Sequence, residues 1–249
     1  MTLSTAITFT ADNALQASPL VIDDARVALD ALREHALFDQ LRNDDFDSLA
    51  ARARLVHLNR HELVYRQDSD ARHFYFMVSG KLRLYRLDCS GLERTLDSIG
   101  AGDCFAELMV YADPPRYACY AEALTSSQIL MIPIKAFQDM LESNPVYAQA
   151  ALRHYAKRAV SRFHDLEIMT VQNARDRLVR YLIDLLPNGT EKGTEIELPL
   201  PKCLVASRLA MQPETFSRIL ADLKSSGLVR VKRSRLVISD PQRLIQMSQ

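Results

Sequence analysis

The chain has 249 residues, 48% of them hydrophobic, and its 31 Lys and Arg balance 31 Asp and Glu. This length and apolar share suit two cored domains, no apolar run approaches a membrane span, and a neutral chain is not a general nucleic-acid coat. The balance is uneven, however: residues 1–170 carry 18 basic against 23 acidic side chains (−5) and residues 171–249 carry 13 against 8 (+5), the pattern of a separate anion-binding module in the C-terminal third.

Residues 1–24 combine many small side chains with no sustained period and are expected to form a flexible leader. They lack the charged start and apolar centre of a signal peptide, so the expected location is the cytoplasm, away from any membrane. From Ala25 to Leu55 the positions Leu29, Leu32, Leu37, Phe38, Leu41, Phe46 and Leu49 fit short helices interrupted near Asn43. Between about Val56 and Pro133 the runs LVYRQ, FYFMVSGKLRLYR, RTLDSI, YACYAEAL and QILMIPI are punctuated by Gly80, Gly91, Gly100, Gly102 and Pro114–Pro115, which predicts a small all-β unit. Within it, Lys81 to Arg86 alternates leucines with basic residues, as in a strand with leucines inward and basic side chains in water.

After Asn144-Pro145 neither proline nor glycine recurs until Pro187, and Leu152, Tyr155, Ala159, Phe163 and Leu166 follow one another at three- and four-residue steps. The spacing predicts one long helix, bent or broken near Val171 to Asn173. A seam of this kind either packs on the chain's own β unit or, more economically, pairs with a second copy in a dimer. The resulting division is a leader (1–24), a sensing unit (25–143), a dimerisation helix (144–171) and a C-terminal unit (172–249).

Pro187-Asn188-Gly189 ends the helical run. Glu195–Leu198 then reads as a strand, Lys202–Ala210 as a first short helix, Pro213–Ser226 as a second, and Leu228–Arg233 with Arg235–Ser239 as a hairpin. With LVASRLAMQP running from the first helix through the turn to the start of the second, this is the helix-turn-helix pattern, whose second helix enters the DNA major groove by its N-terminal end. In the second helix, MQPETFSRIL places Pro213 in the first turn, turns Phe216, Ile219, Leu220 and Leu223 to one face, and leaves Glu214, Ser217 and Arg218 on the other. Arginine can grip guanine O6 and N7 together, glutamate can accept from cytosine N4, and serine can meet several base edges. Taken singly, Glu214 also suits a helix start, and Arg218 four residues on could pair with it. Together with a wing bearing Arg230, Lys232, Arg233 and Arg235, the constellation points to reading of double-stranded DNA. Arg208, Gln212, Thr215, Lys232 and Arg233 are expected to support the contact, Arg208 through a phosphate.

With PETFSRIL in place, the β unit, long helix and winged helix-turn-helix resemble the cyclic AMP receptor protein and fumarate-nitrate reductase regulator superfamily from Ala31 to the C-terminus. EHALFDQL, PETFSRI and NARDRLVRYL are most similar to the dissimilatory nitrate respiration regulators, which sense nitric oxide through haem. The resemblance implies an α+β chain with an N-terminal β-roll of the cyclic-nucleotide-binding jelly-roll kind, a long dimerisation helix and a C-terminal winged helix-turn-helix. It further implies a homodimeric regulator that works with RNA polymerase and is not an enzyme; G-x-S-x-G, Walker and H-E-x-x-H signatures are missing from the sequence. Glu-x-x-Ser-Arg matches the fumarate-nitrate regulators, whereas the cyclic AMP receptor protein has glycine where Ser217 stands and arginine where Pro213 stands. The implied site is therefore TTGAT-N4-ATCAA-like. Arg208 departs from the subgroup, which has histidine there.

A cyclic nucleotide pocket in this superfamily uses a Gly-Glu-Leu turn and an Arg-Ser-Ala segment. The matching stretches here are Ala106-Glu107-Leu108 and Arg116-Tyr117-Ala118, so the charged pair is kept while alanine replaces glycine and Tyr117 replaces serine. Arg162 and Phe163 stand where the receptor has its base-contacting Thr-Ser pair. The expected effector pocket is Glu107, Arg116, Tyr117 and Phe163, with Glu107 and Arg116 held as an ion pair. Nitric oxide at haem b is expected as effector, with a cyclic nucleotide as the alternative. His35 matches a histidine of the nitrate respiration regulators and precedes Leu37-Phe38; it is the expected iron ligand, an ordinary packed histidine being the alternative, with His154 and His164 next in line. An iron-sulfur cluster is not expected, since no cysteine precedes Cys89. Cys89, Cys104, Cys119 and Cys203 show no C-x-x-C spacing and are expected to be buried or inert thiols.

Overall fold

The computed structural model describes residues 22–170, 173–187, 191–232 and 235–246. The leader as far as residue 21, Arg233 and the side chains of His164 and Lys232 lie outside the described residues. Helix α1 (Ile22–Arg33) starts within the last residues assigned to the leader, and α2 (Asn43–Ala50) follows a run of turns. Ala28, Leu32, Leu37, Phe38 and Leu49 from this segment are buried against the β unit.

The β unit holds β1 (Arg54–Leu58), β2 (Leu63–Tyr65), β3 (His73–Ser79), β4 (Lys81–Leu87), β5 (Glu93–Gly100), β6 (Cys104–Phe105), β7 (Tyr120–Ala123) and β8 (Ser127–Pro133). Two antiparallel sheets result, in the orders β1-β8-β3-β6 and β2-β7-β4-β5. The run FYFMVSGKLRLYR is divided at Gly80, whose φ of +92° carries the chain from the first sheet to the second. A Cβ at that position would lie 2.6 Å from the Ser126 carbonyl oxygen. Tyr75 of β3 packs on Phe105 and reaches Tyr65 of the second sheet, while Phe74 and Phe76, on the opposite face of β3, pack on Phe38, Phe137 and His35.

One alternation fails in β4. Arg83, expected in water, is 8% exposed and lies over the Tyr85 ring. Its guanidinium binds Glu122 at 2.6 Å and Glu93 at 2.7 Å, so cross-strand carboxylates replace water.

Strand β8 runs directly into α3 (Ile134–Ser143), whose N-cap is Pro133 and which has no side-chain cap hydrogen bond; Ile134, Phe137, Met140 and Leu141 anchor it. The expected long helix is two helices, α4 (Pro145–Thr170) and α5 (Ala174–Asp184), the second capped by Asn173, whose side chain accepts the Arg175 N–H. Then come β9 (Thr194–Glu197), α6 (Lys202–Arg208), α7 (Pro213–Ser225), β10 (Val229–Lys232), β11 (Arg235–Ile238) and α8 (Pro241–Gln246). The three strands form a sheet in the order β10-β11-β9, and a second core gathers Leu178, Leu182, Val205, Phe216, Leu223 and Leu236. Among the described residues no helix is long and apolar enough to cross a membrane.

Candidate DNA-reading helix and effector cavity

Helix α7 opens with Pro213 in its first turn and buries Phe216, Ile219, Leu220 and Leu223. Glu214, Ser217 and Arg218 are exposed on the other side, as is Gln212, and Thr215 is half-buried. The Glu214–Arg218 pair that spacing allows is not made. Ala210, in the left-handed region at φ +49°, makes the turn between α6 and α7, and Arg177 of α5 donates to the carbonyls of Leu209 at 2.9 Å and Ala210 at 3.3 Å. Of the wing cations, Arg230 and Arg235 are exposed.

A cavity of about 590 Å³ lies where the β-roll, α4 and the C-terminal domain meet. Its size falls in the range of small-molecule sites, roughly 300–1,000 Å³. The wall is mostly apolar, with Leu84, Leu96, Leu108, Met109, Leu166 and Met169, and it carries Arg94, Arg158, Arg162 and Arg208 beside Asp97, Glu107 and Asp165. Leu209 and Ala210 of the helix-turn-helix close one side.

Of the four expected pocket residues, Glu107 and Tyr117 line this cavity, whereas Arg116 and Phe163 do not. Glu107 is 1% exposed and pairs with Arg158 at 3.0 Å, with the His154 ring nitrogen 3.7 Å away. The expected Glu107–Arg116 ion pair is therefore absent: Arg116 is exposed and donates to the Asp68 carbonyl at 2.9 Å, while the buried carboxylate finds its cation on α4. Tyr117 stacks on Tyr65 at 3.8 Å, donates to the His73 carbonyl and lies 3.1 Å from the Tyr75 hydroxyl. Its ring occupies space that a serine would leave open.

His35 does not line the cavity. It packs among Phe38, Phe76 and His154, its Nδ1 accepts the Leu37 N–H at 3.2 Å, and burial, reinforced by His154, lowers its pKa to about 4. His154, on α4, is the other half of this half-buried pair. Two of the four cysteines are buried as expected, with Cys119 pushed up to about 11 by burial and Cys104 also well above the ordinary thiol value; Cys89 and Cys203 are exposed.

Residues 55–144 match the cyclic nucleotide-binding domain family, and residues 176–247 match the Crp-like helix-turn-helix domain family. The solved structure of DNR from Pseudomonas aeruginosa is 34% identical, covering 89% of this chain and 97% of that one with a TM-score of 0.51. The chain belongs to the Crp/Fnr family of transcription regulators. Within that family it falls with the DNR-like members. FixK2 from Bradyrhizobium japonicum shares the fold, with a TM-score of 0.68 at 20% identity over 79% of this chain and 98% of that one. A cAMP-activated global transcriptional regulator of Mycobacterium tuberculosis is 23% identical over 86% of this chain and 96% of its own length.

Crp/Fnr regulators bind DNA and typically act as dimers, and they are not enzymes. On α4, Leu152, Phe163 and Leu166 are 65%, 70% and 60% exposed, and Ala159 is exposed with them. Val160, at 68%, extends the stripe and was not part of the expected seam. Tyr155 turns the other way: half-buried, it donates to the Glu107 carbonyl of the β-roll at 3.2 Å.

Proposed function

We propose that this Crp/Fnr regulator acts as a cytoplasmic homodimer that reads TTGAT-N4-ATCAA-like palindromes through Glu214, Ser217 and Arg218, works with RNA polymerase, and senses nitric oxide through haem b held in the cavity. The cavity wall carries this reading. Leu84, Leu108, Leu166 and Met169 would hold an apolar macrocycle, and Arg158 and Arg162 its carboxylates. Haem iron would supply the atom that binds nitric oxide. Because Arg208, Leu209 and Ala210 belong to the same wall, an occupant touches the DNA-binding domain directly. Any difference in its contacts between two domain arrangements then shifts their populations. The likeness to DNR supports the regulator part of this reading.

The displaced Arg116 and the ring of Tyr117 weigh against a cyclic nucleotide, whereas the domain match and the name of the mycobacterial relative favour one. The test is haem titration followed by the Soret band, then DNA binding by haem-loaded protein with and without nitric oxide, beside apo-protein with cyclic AMP. A stoichiometric Soret band and a nitric oxide-dependent change in DNA affinity are expected. Activation by cyclic AMP alone, with no haem uptake, would transfer the cavity to the nucleotide. Since His35 lies outside the lining, His35→Ala is expected to leave the haem spectrum unchanged.

A further inference from the structure

Four charged side chains from three elements close a ring beside the cavity. Asp97 on β5 gives one carboxylate oxygen to Arg208 of α6 at 3.1 Å and the other to Arg162 of α4. Asp165 of α4 completes it, binding Arg208 at 3.1 Å and Arg162 at 2.8 Å. Two carboxylates thus share two guanidiniums with no charge left over. Asp97 and Arg208 are 14% and 17% exposed, so this is not a loose surface pairing.

A second, uncharged contact lies next to the ring. The Ser207 hydroxyl accepts the Thr95 N–H and donates to the Glu93 carbonyl, both at 3.0 Å. Strand β5 is the outer strand of its sheet, so the hydroxyl satisfies backbone groups that the sheet leaves unpaired. The first helix of the helix-turn-helix is therefore fastened to the β-roll by its own Ser207 and Arg208.

The first helix of a helix-turn-helix crosses the DNA backbone, and phosphate competes with carboxylate for an arginine fork. We propose that Asp97, Asp165 and Arg162 form a clasp that holds the DNA-binding domain against the β-roll, and that Arg208 is shared between this clasp and DNA phosphate. While the ring is closed, Arg208 is spent inside the molecule. Opening it leaves Asp97 and Asp165 paired with Arg162 and releases Arg208 to the duplex. The inference holds whichever ligand fills the cavity, and it concerns phosphate rather than base contacts.

The full-length, ligand-free protein is the right material. In Asp97→Asn the Thr95 amide should exchange with deuterium about tenfold faster, and affinity for a mixed-sequence duplex at low salt should rise about tenfold, as expected when a binding-competent minority is relieved of its competitor. Ser207→Ala, which changes no charge, should move both readings the same way. Adding Arg208→Ala to Asp97→Asn should abolish the gain in affinity while exchange stays fast. Unchanged exchange in both Asp97→Asn and Ser207→Ala would overturn the clasp, and a gain in affinity that survives Arg208→Ala would overturn the sharing of Arg208. Failure of the TTGAT-N4-ATCAA palindrome to outcompete mixed sequence would count against the proposed DNA site alone, since none of these readings depends on it.

Discussion

His35 ties the stability of the β-roll to pH. Burial among Phe38, Phe76 and His154, with the second imidazole adding repulsion, lowers its pKa to about 4, against about 6.5 for an unfolded histidine. Between these values the unfolded chain binds a proton that the folded chain refuses, so stability falls as the solution is acidified. The contribution is whole above about pH 6.5 and is lost as pH drops toward about 4. At full strength such a shift is worth about 3 kcal/mol; the ring is partly open to water, and screening reduces that to roughly 1–2 kcal/mol. Urea unfolding followed by circular dichroism at pH 7.5, 6 and 4.5 measures it, comparing wild type with His35→Phe. The phenyl ring keeps the apolar contacts but loses the acceptor for the Leu37 N–H, a cost of about 1 kcal/mol that does not depend on pH. His73, also depressed by burial, titrates in both proteins and cancels in the difference. The wild type should therefore lose about 1–2 kcal/mol more than the variant on acidification. Parallel pH curves would refute the assignment of this loss to His35.

Arg218→Ala is expected to cost about 1–3 kcal/mol on the TTGAT-N4-ATCAA site and to relax preference at the G·C pair, while Lys232→Ala weakens all sequences alike; a selection that returned TGTGA half-sites would contradict the base-reading assignment. Leu152→Glu with Leu166→Glu places charge on the exposed stripe of α4 and should give monomers in sedimentation equilibrium, whereas a wild type that is itself monomeric with DNA and effector present would remove the dimer. Ala106 sits in the left-handed region at φ +60°, so Ala106→Gly should be neutral to about 1 kcal/mol more stable in thermal unfolding, relief of strain being offset in part by glycine's entropy.

What was legible in the sequence was whatever depends on neighbours along the chain. The 3.6-residue pattern of Phe216, Ile219 and Leu220 and the Pro213 start give α7 directly, and Gly80 and its fellow turn residues divide the β-roll. Strand β6 is too short to show a period, and α3 begins at once after Pro133 with no side-chain cap, so the local pattern marks the end of β8 but neither β6 nor the helix that follows. Arg83 shows the limit most plainly. Its place in an alternating strand predicts water, but Glu122 across the sheet and Glu93 on the next strand make burial affordable.

The same limit explains the cavity. Glu107 follows from the matched turn and Tyr117 from the matched Arg-Ser-Ala segment, yet the cation that answers Glu107 lies on α4, some fifty residues away and not at Arg116. The place of Arg208 in the helix-turn-helix predicts a phosphate contact, an expectation that treats the domain as standing alone. In the folded chain it meets Asp97 and Asp165, two carboxylates whose positions in sequence give no sign that they converge. A guanidinium between internal carboxylates and external phosphate has its destination set by the balance between them. Any ligand that presents anionic groups to Arg162 enters that balance, because Arg162 is the cation Asp97 keeps when Arg208 leaves. An anionic ligand drawing Arg162 away from Asp97 would leave that carboxylate more dependent on Arg208 and tighten the clasp. A ligand that separates α6 from β5 would have the opposite sign. Measuring Thr95 amide exchange with and without bound haem distinguishes the two: slower exchange means that the occupant holds the DNA-binding domain closed, and faster exchange means that it opens it.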